Sequence, residues 1–491
     1  MPETRTFRST VEGSVEENSI SDTTGLRRLT LQDIPTECLS RVFIHTLPVD
    51  SLSHMQPDVT IAPMVLCQVC AYWRALALAQ SELWKRLYHI MWMTIILNDR
   101  TNQKSVDIDS KDMEFLRWWK GNMRQSKALL RLEANFEAKV RRTGGPGSNQ
   151  DDTKDDDQRA FIIQLLSSAQ YLDMSKGMSA AVNLYVSRGR INDMNLDTFI
   201  LRDEDELRIF ARESILFELG VVPFEPAHPI RRIILDNLSI CKADVSSVCW
   251  SNMTHVTLLN MPTSIPGWLA LTREFLSLQY GRFDIDDYLE DFKFKQPPFT
   301  ELLHLRQLII RSSFTDLDEY LLRNLHLPVL TSLRLETTMT GRQLQAALSS
   351  TPSLKELHLG RTIPQNPITE QRSVFQENIE TLTARIPALQ RLLLCVDSEE
   401  ISDFKTWLGR LLKSEWIHLG RNNIKEIEFT LDRAPTNLKK RQELREILQE
   451  QSVDGVDLIL TPDKLSVWNK RFDIPAGEVD VFFEDLMFKE V

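Results

Sequence analysis

The sequence has no apolar run long enough to cross a bilayer. Its most apolar stretch, Leu87 to Leu97, is interrupted by His89 and Thr94 and is far shorter than the roughly 20 residues of a spanning helix. Cysteine is also scarce, with 6 in 491 residues, and the polar first 25 residues lack the apolar centre of a signal peptide. We therefore expect an intracellular protein, cytoplasmic or nuclear, with reduced thiols and no membrane partner.

A surplus of basic side chains is missing as well. The chain carries 58 Lys and Arg against 69 Asp and Glu, a net charge of −11. Because neutralising phosphates requires a basic surface, this balance argues against a nucleic-acid partner. It leaves room for a local basic patch.

Motifs of common catalytic and metal sites are absent from the sequence too. It contains no H-E-x-x-H, no G-x-S-x-G and no phosphate loop of the G-x-x-x-x-G-K-[ST] type. Cys67 and Cys70 form a C-x-x-C without a second pair at zinc spacing, and Cys70 fits the apolar side of a helix. We therefore expect no catalytic residue, metal or cofactor. A hydrolase site dispersed around residues such as His358 or His418 would escape this test and is kept as an alternative.

Helical signals open the chain after a polar segment. Residues 1–28 are rich in Ser, Thr and acidic side chains and are expected to be disordered. A helix is predicted after Pro35, whose fixed φ suits a first turn, with Ile34, Leu39, Val42 and Phe43 on one side. A second helix with an apolar stripe through Trp73 and a short third segment around Trp84 complete a three-helix unit over residues 29–90. Residues 91–124 are expected to form a helical linker.

Repeats dominate the remainder, residues 125–491. Runs of the form apolar-x-x-apolar-x-apolar end at Leu235, Leu258, Ile310, Leu335, Leu359, Leu394 and Phe429. Several steps are 23 to 25 residues, and the longer step before Ile310 has room for one degenerate unit around Phe275 to Tyr280. Strand-plus-helix units of this length stack on each other because none can bury its apolar face alone. The pattern predicts an irregular α/β solenoid with a parallel sheet, interrupted by an acidic surface loop at 143–158.

The amino-terminal segment resembles the F-box, in the F-box-like version common in mushroom-forming fungi. The family pattern has a Leu-Pro-x-Glu-x-Leu opening, a Val-Cys-x-x-Trp-Arg middle and a Ser-x-x-Leu-Trp close. The matches are Ile34, Pro35, Glu37 and Leu39 in the opening, Val69, Cys70, Trp73 and Arg74 in the middle, and Ser81, Leu83 and Trp84 in the close. The repeats that follow resemble irregular leucine-rich repeats.

This resemblance implies the substrate-recognition subunit of a Skp-cullin-F-box type ubiquitin ligase, which is not itself an enzyme. Such a subunit holds a Skp-family adaptor, and through it a cullin, while its repeat domain binds a protein target of unknown identity. The resemblance assigns adaptor binding to Ile34, Pro35, Leu39, Val42 and Phe43. Two alternatives stay open: these side chains only pack against Trp73 and Trp84, or the chain is a repeat scaffold that recruits no ligase.

Overall fold

The structure is a computed structural model of the 491-residue chain. It describes residues 33–47, 61–98, 104–124, 127–141, 151–175, 196–202, 230–236, 250–259, 265–285, 299–312, 324–336, 348–360, 388–396, 408, 424–431, 438–450 and 456–461. The predicted disorder of residues 1–28 lies outside these ranges. Among the described residues, no helix is long and apolar enough to span a membrane.

The described chain opens with helices, and strands predominate from residue 86 onward. The helices are α1 Thr36–His45, α2 Leu66–Val69, α3 Ala71–Ala79, a 3₁₀ turn Ser81–Trp84, α4 Ser110–Met123, α5 Asp151–Ser167, a 3₁₀ turn Trp250–Asn252, α6 Ile265–Thr272 and α7 Leu438–Glu450. The strands are β1 Arg86–Asn98, β2 Lys104–Ile108, β3 Ala128–Arg141, β4 Ala169–Ser175, β5 Thr198–Arg202, β6 Arg232–Asp236, β7 His255–Leu259, β8 Tyr280–Ile285, β9 Thr300–Glu301, β10 Gln307–Ser312, β11 Leu325–His326, β12 Ser332–Glu336, β13 Glu356–Gly360, β14 Arg391–Val396, β15 Glu426–Leu431 and β16 Asp457–Thr461.

Fourteen of these strands form one sheet in the order β16-β15-β14-β13-β12-β10-β8-β7-β6-β5-β4-β3-β1-β2. Only the β1–β2 pair is antiparallel among its described pairings. From β3 to β16 the strands of this sheet lie in chain order, as stacking of successive repeat units requires, whereas β2 lies at the edge beyond β1. The expected α/β architecture with a large, mostly parallel sheet is confirmed, and the arrangement is consistent with an α/β solenoid.

The apolar runs of the sequence form the core of this sheet. In the register of β12 and β13, Leu333 lies beside Leu357 and Leu335 beside Leu359. All four are buried and belong to one continuous cluster, which confirms the predicted repeat register. The degenerate unit predicted before Ile310 is also present as β8.

The structure corrects two predictions made from composition. Residues 91–124 are not a helical linker throughout, because β1 extends to Asn98 and β2 precedes α4. Alternating apolar residues of β1, such as Met91 and Met93, are buried in the core. This alternation is the pattern of a strand with one buried face and not that of a helix. The acidic stretch predicted as a loop at 143–158 enters α5 at Asp151.

Tryptophans connect the amino-terminal helices to the sheet. Trp84 is fully buried, and its indole N–H donates to the Ala77 carbonyl at 2.9 Å. The Trp119 indole N–H donates to the Trp84 carbonyl at 2.7 Å, while the Trp84 ring lies edge-on to Trp118 and Trp119. Since β1 begins two residues after Trp84, the helices and the first strand share one core.

Candidate protein-interaction surfaces

Helix α1 carries the residues to which the resemblance assigns adaptor binding. Pro35 precedes its first turn, where a missing N–H costs nothing. Ile34 is 37% exposed and Val42 52% exposed, and Pro35 is also exposed. These three side chains leave an apolar face of the helix open to solvent.

The other two assigned residues lie inside the helical unit. Leu39 and Phe43 are buried, with Phe43 fully so. The Phe43 ring contacts Trp73 with ring centroids 4.8 Å apart, which is the packing role that the alternative interpretation foresaw. Leu39 and Phe43 therefore hold α1 in place, and the exposed part of the predicted face consists of Ile34, Pro35 and Val42.

The cysteines of the C-x-x-C are placed for packing and capping. Cys70 does not lie on the apolar side of a helix as predicted: it is exposed, has an extended backbone between α2 and α3, and caps α3, because its sulfur accepts a hydrogen bond from the Trp73 backbone N–H at 3.4 Å. Burial raises the pKa of the Cys67 thiol, an effect that Arg74 partly offsets. Within the described ranges, no group of three or more His, Cys, Asp or Glu side chains is arranged to hold a metal ion.

A central row of residues crosses the sheet on the face opposite the leucines. The register aligns one position of each strand, and side chains two apart share a face. These positions are Tyr88, Arg131, Asp173, Ile200, Ile234, Thr257, Arg282, Ile309, Arg334, His358, Leu393, Glu428 and Ile459. All but the last are buried, including the Arg, Asp and Glu side chains.

Several charges along this face form pairs with other described residues. Arg131 donates to Glu133 at 3.1 Å and lies over the Tyr88 ring at 5.0 Å. Arg391 forms ion pairs with Glu426 and Glu428. Such pairing is what buried charges require, so we assign this row a structural role.

His358, the residue considered for a dispersed hydrolase site, belongs to the same row. It is buried, and burial together with Arg334 and Arg391 holds the pKa of its imidazole well below the usual range. Its neighbours across the register are Arg334 and Leu393, neither of which is a carboxylate. His418 lies outside the described residues.

The amino-terminal edge of the sheet differs from the buried row because its side chains reach solvent. Each strand in this part of the sheet is preceded by a residue whose backbone carbonyl accepts hydrogen bonds from the N–H groups at the start of the adjacent strand. For example, the Arg306 carbonyl accepts the N–H groups of Thr331 at 2.8 Å and Ser332 at 3.1 Å. We call these positions the rim row; its exposed cations are Arg231, Arg306, Lys355 and Lys425.

Sequence reasoning missed both rows. A single charged residue between two leucines looks like any surface residue of a half-exposed strand. The alignment of such residues depends on the register of strands that are far apart in sequence. The one usable signal is the residue directly after the first leucine of an apolar run, which is Arg306 after Leu305 and Lys355 after Leu354.

Comparisons with known proteins leave the family of the chain open. Neither the scan against protein-family models nor the search of curated proteins finds a match.

Proposed function

We propose that the chain is the substrate-recognition subunit of a Skp-cullin-F-box type ubiquitin ligase. In this proposal residues 29–90 form an F-box-like unit that binds the adaptor, and the following irregular leucine-rich-repeat-like solenoid binds a protein target. The chain performs no chemistry itself. It raises the effective concentration of a target lysine near the ubiquitin carrier.

One observation carries the proposal: the apolar face of α1 stays open although the helical unit is packed into the core that it shares with the sheet. Val42 is 52% exposed and Ile34 37% exposed, whereas Phe43, the neighbour of Val42 in the chain, is fully buried. An amphipathic helix that keeps an apolar stripe in water is suited to a helix partner. The motif matches around Pro35 supply the identity of that partner.

The attachment of the helical unit to the sheet also supports this function. The hydrogen bond from Trp119 to the Trp84 carbonyl and the ring contacts around Trp84 bury the closing residue of the motif. A bound target would thereby keep a defined position relative to a bound adaptor. Productive ubiquitin transfer benefits from such fixed geometry.

Capture of a purified Skp-family adaptor tests the proposal. The variant Ile34→Asp with Val42→Asp places charge on the exposed face without entering the core. Interface hot spots are worth about 2 kcal/mol or more each, so the affinity for the adaptor should fall at least thirtyfold, roughly. The control is Ile44→Asp, because Ile44 is equally exposed at 37% but lies about 200° around the helix from Val42.

The control variant should bind the adaptor like the wild-type chain. A wild-type chain that captures no adaptor would favour the alternative function, a protein-interaction scaffold without ligase recruitment. Equal binding by the double variant and the control would show that α1 is not the adaptor surface.

A further inference from the structure

Within the described ranges, the exposed cations of the rim row form no ion pair. Arg231, Arg306, Lys355 and Lys425 are all exposed, and none of them forms an ion pair within the part of the chain that the structure describes. The chain as a whole carries a net charge of −11. This line of exposed cations, which form no ion pair with another described residue, is a local basic patch on a chain that is acidic overall.

Between these cations the rim row is uncharged. The intervening positions are Thr254, Gln279, Thr331 and Gln390. The Thr254 hydroxyl donates to the Arg231 carbonyl at 3.2 Å, and the Thr331 hydroxyl donates to the Arg306 carbonyl at 3.1 Å. The threonines thus turn back onto the edge and leave the cationic side chains to project.

The spacing of the cations suits an extended chain. Arg306, Lys355 and Lys425 precede β10, β13 and β15, each two strands from the next in the sheet order. Two strand separations of about 4.8 Å give a step of about 10 Å. Three residues of extended polypeptide cover about the same distance.

Exposed apolar side chains lie at the same edge of the sheet. Leu276 and Leu303 stand four residues before the first residues of β8 and β10, and Val329 three residues before that of β12. They are 68%, 53% and 40% exposed, and Phe299, stacked on His326, is 60% exposed. Single exposed apolar residues are ordinary, whereas these four come from three neighbouring repeats at one edge of the sheet; we call them the apolar patch.

We propose that the rim row and this apolar patch together bind an extended acidic segment of a partner protein. The segment carries an acidic residue at about every third position and apolar residues between them, which meet Leu276, Leu303 and Val329. A protein segment is favoured over nucleic acid because the apolar patch has no use in phosphate binding and the chain is acidic overall. Under the proposed function this segment belongs to the target of the ligase. The binding of the segment does not depend on that function; only its assignment to the target does.

The rim is also the part of the sheet that a partner can reach. The central row is buried at Arg282, Arg334 and Glu428, whereas the rim row is not. Two acidic side chains are exposed in the same repeats, but they do not lie in the rim row. Glu274 and Glu301 stand two residues before Leu276 and Leu303. The rim row itself carries no acidic residue from Arg231 to Lys425.

Binding of a labelled peptide to the full-length chain tests this proposal. The probe is a fluorescent peptide of about twelve residues with a Glu-Ser-Leu repeat, long enough to span the roughly 34 Å from β6 to β15. Its control replaces every Glu with Gln. We expect the Glu peptide alone to bind, with an affinity that falls when the ionic strength rises from about 0.05 to about 0.5 M.

Two matched charge reversals locate the site. Arg306→Glu with Lys355→Glu should weaken binding about tenfold, because two exposed attractions are replaced by repulsions. Lys111→Glu with Arg445→Glu makes the same change of charge on exposed positions of α4 and α7 and should change the affinity by less than about twofold. Leu276→Ser with Leu303→Ser should weaken binding by roughly fivefold or more, because the peptide loses its apolar contacts with these two leucines.

Each other outcome overturns the proposal. Equal loss in both charge reversals means a general field effect, and equal binding of the Gln peptide removes the acidic requirement. Binding of an oligothymidylate of similar length, but not of the peptide, would assign the rim to nucleic acid instead. Adaptor capture is measured on the same variants and should be unchanged, so failure of the ligase proposal and failure of the rim proposal give different results.

Discussion

The junction at Trp84 makes a specific prediction about stability. Replacing Trp119 with Phe removes the indole N–H that donates to the Trp84 carbonyl at 2.7 Å. Trp84 is fully buried and Trp119 is 1% exposed, so water cannot replace the lost donor.

The expected loss of stability has two parts. A buried carbonyl left without its donor costs about 1 to 3 kcal/mol. The smaller ring adds about 1 kcal/mol through lost packing. Trp119→Phe should therefore lower the free energy of unfolding by about 2 to 4 kcal/mol.

Trp118 provides the matched control. It also contacts the Trp84 ring edge-on, with centroids 5.1 Å apart, but it is 41% exposed. Phe retains an edge-on aromatic contact at this position, so Trp118→Phe should cost less than about 1 kcal/mol.

Urea unfolding followed by circular dichroism measures both variants, with limited proteolysis between residues 61 and 98 as a second probe. The shared core predicts that the amino-terminal helices and β1 unfold together. Similar stability losses in Trp118→Phe and Trp119→Phe would refute the assigned hydrogen bond. A separate early transition confined to the helices would refute the shared core.

Two further predictions concern the sheet. Leu357→Ala should lower the free energy of unfolding by about 2 to 5 kcal/mol, because Leu357 is fully buried. The control Leu303→Ala, at a half-exposed position, should cost less than about 1 kcal/mol in the same urea titration. Equal costs for the two variants would contradict the repeat register. Burial, and next Arg232, lower the pKa of His255 to about 3, so below the usual pKa of about 6.5 the unfolded chain binds a proton that the folded chain does not. The free energy of unfolding should thus decrease as the pH is lowered, by about 2 kcal/mol from pH 7 to pH 5 for this residue. His255→Gln should reduce this dependence of stability on pH; an unchanged dependence in the variant would contradict the lowered pKa.

The stacking of the repeats was predictable because it depends on local information. Leucine positions such as Leu333 and Leu335 recur with a spacing that only a strand with one buried face explains, and the step to Leu357 and Leu359 matches one repeat. Helix α1 was predictable for the same reason, since Pro35 and the apolar period mark its start and its buried side. In both cases neighbours in sequence carry the signal.

Which side chains of α1 remain exposed was decided by tertiary packing. Leu39, Val42 and Phe43 share a helix side by period, but Trp73 covers Phe43 and leaves Val42 in solvent. The period of a helix reports direction, whereas exposure depends on where the next helix lies. The linker prediction failed for a similar reason, because the sheet gives β1 a partner strand in β3, which lies more than 30 residues further along the chain.

The amino-acid sequence alone establishes a repeating strand unit, an acidic chain and an amino-terminal segment that resembles the F-box. The tertiary structure decided that Arg231, Arg306, Lys355 and Lys425 stand in one row and that Arg334, His358 and Glu428 stand in another, buried one. The physical reason is register: hydrogen bonds between parallel strands align residues that are 23 or more positions apart in the chain. No local pattern encodes that alignment, so the charged rows exist only in the folded sheet.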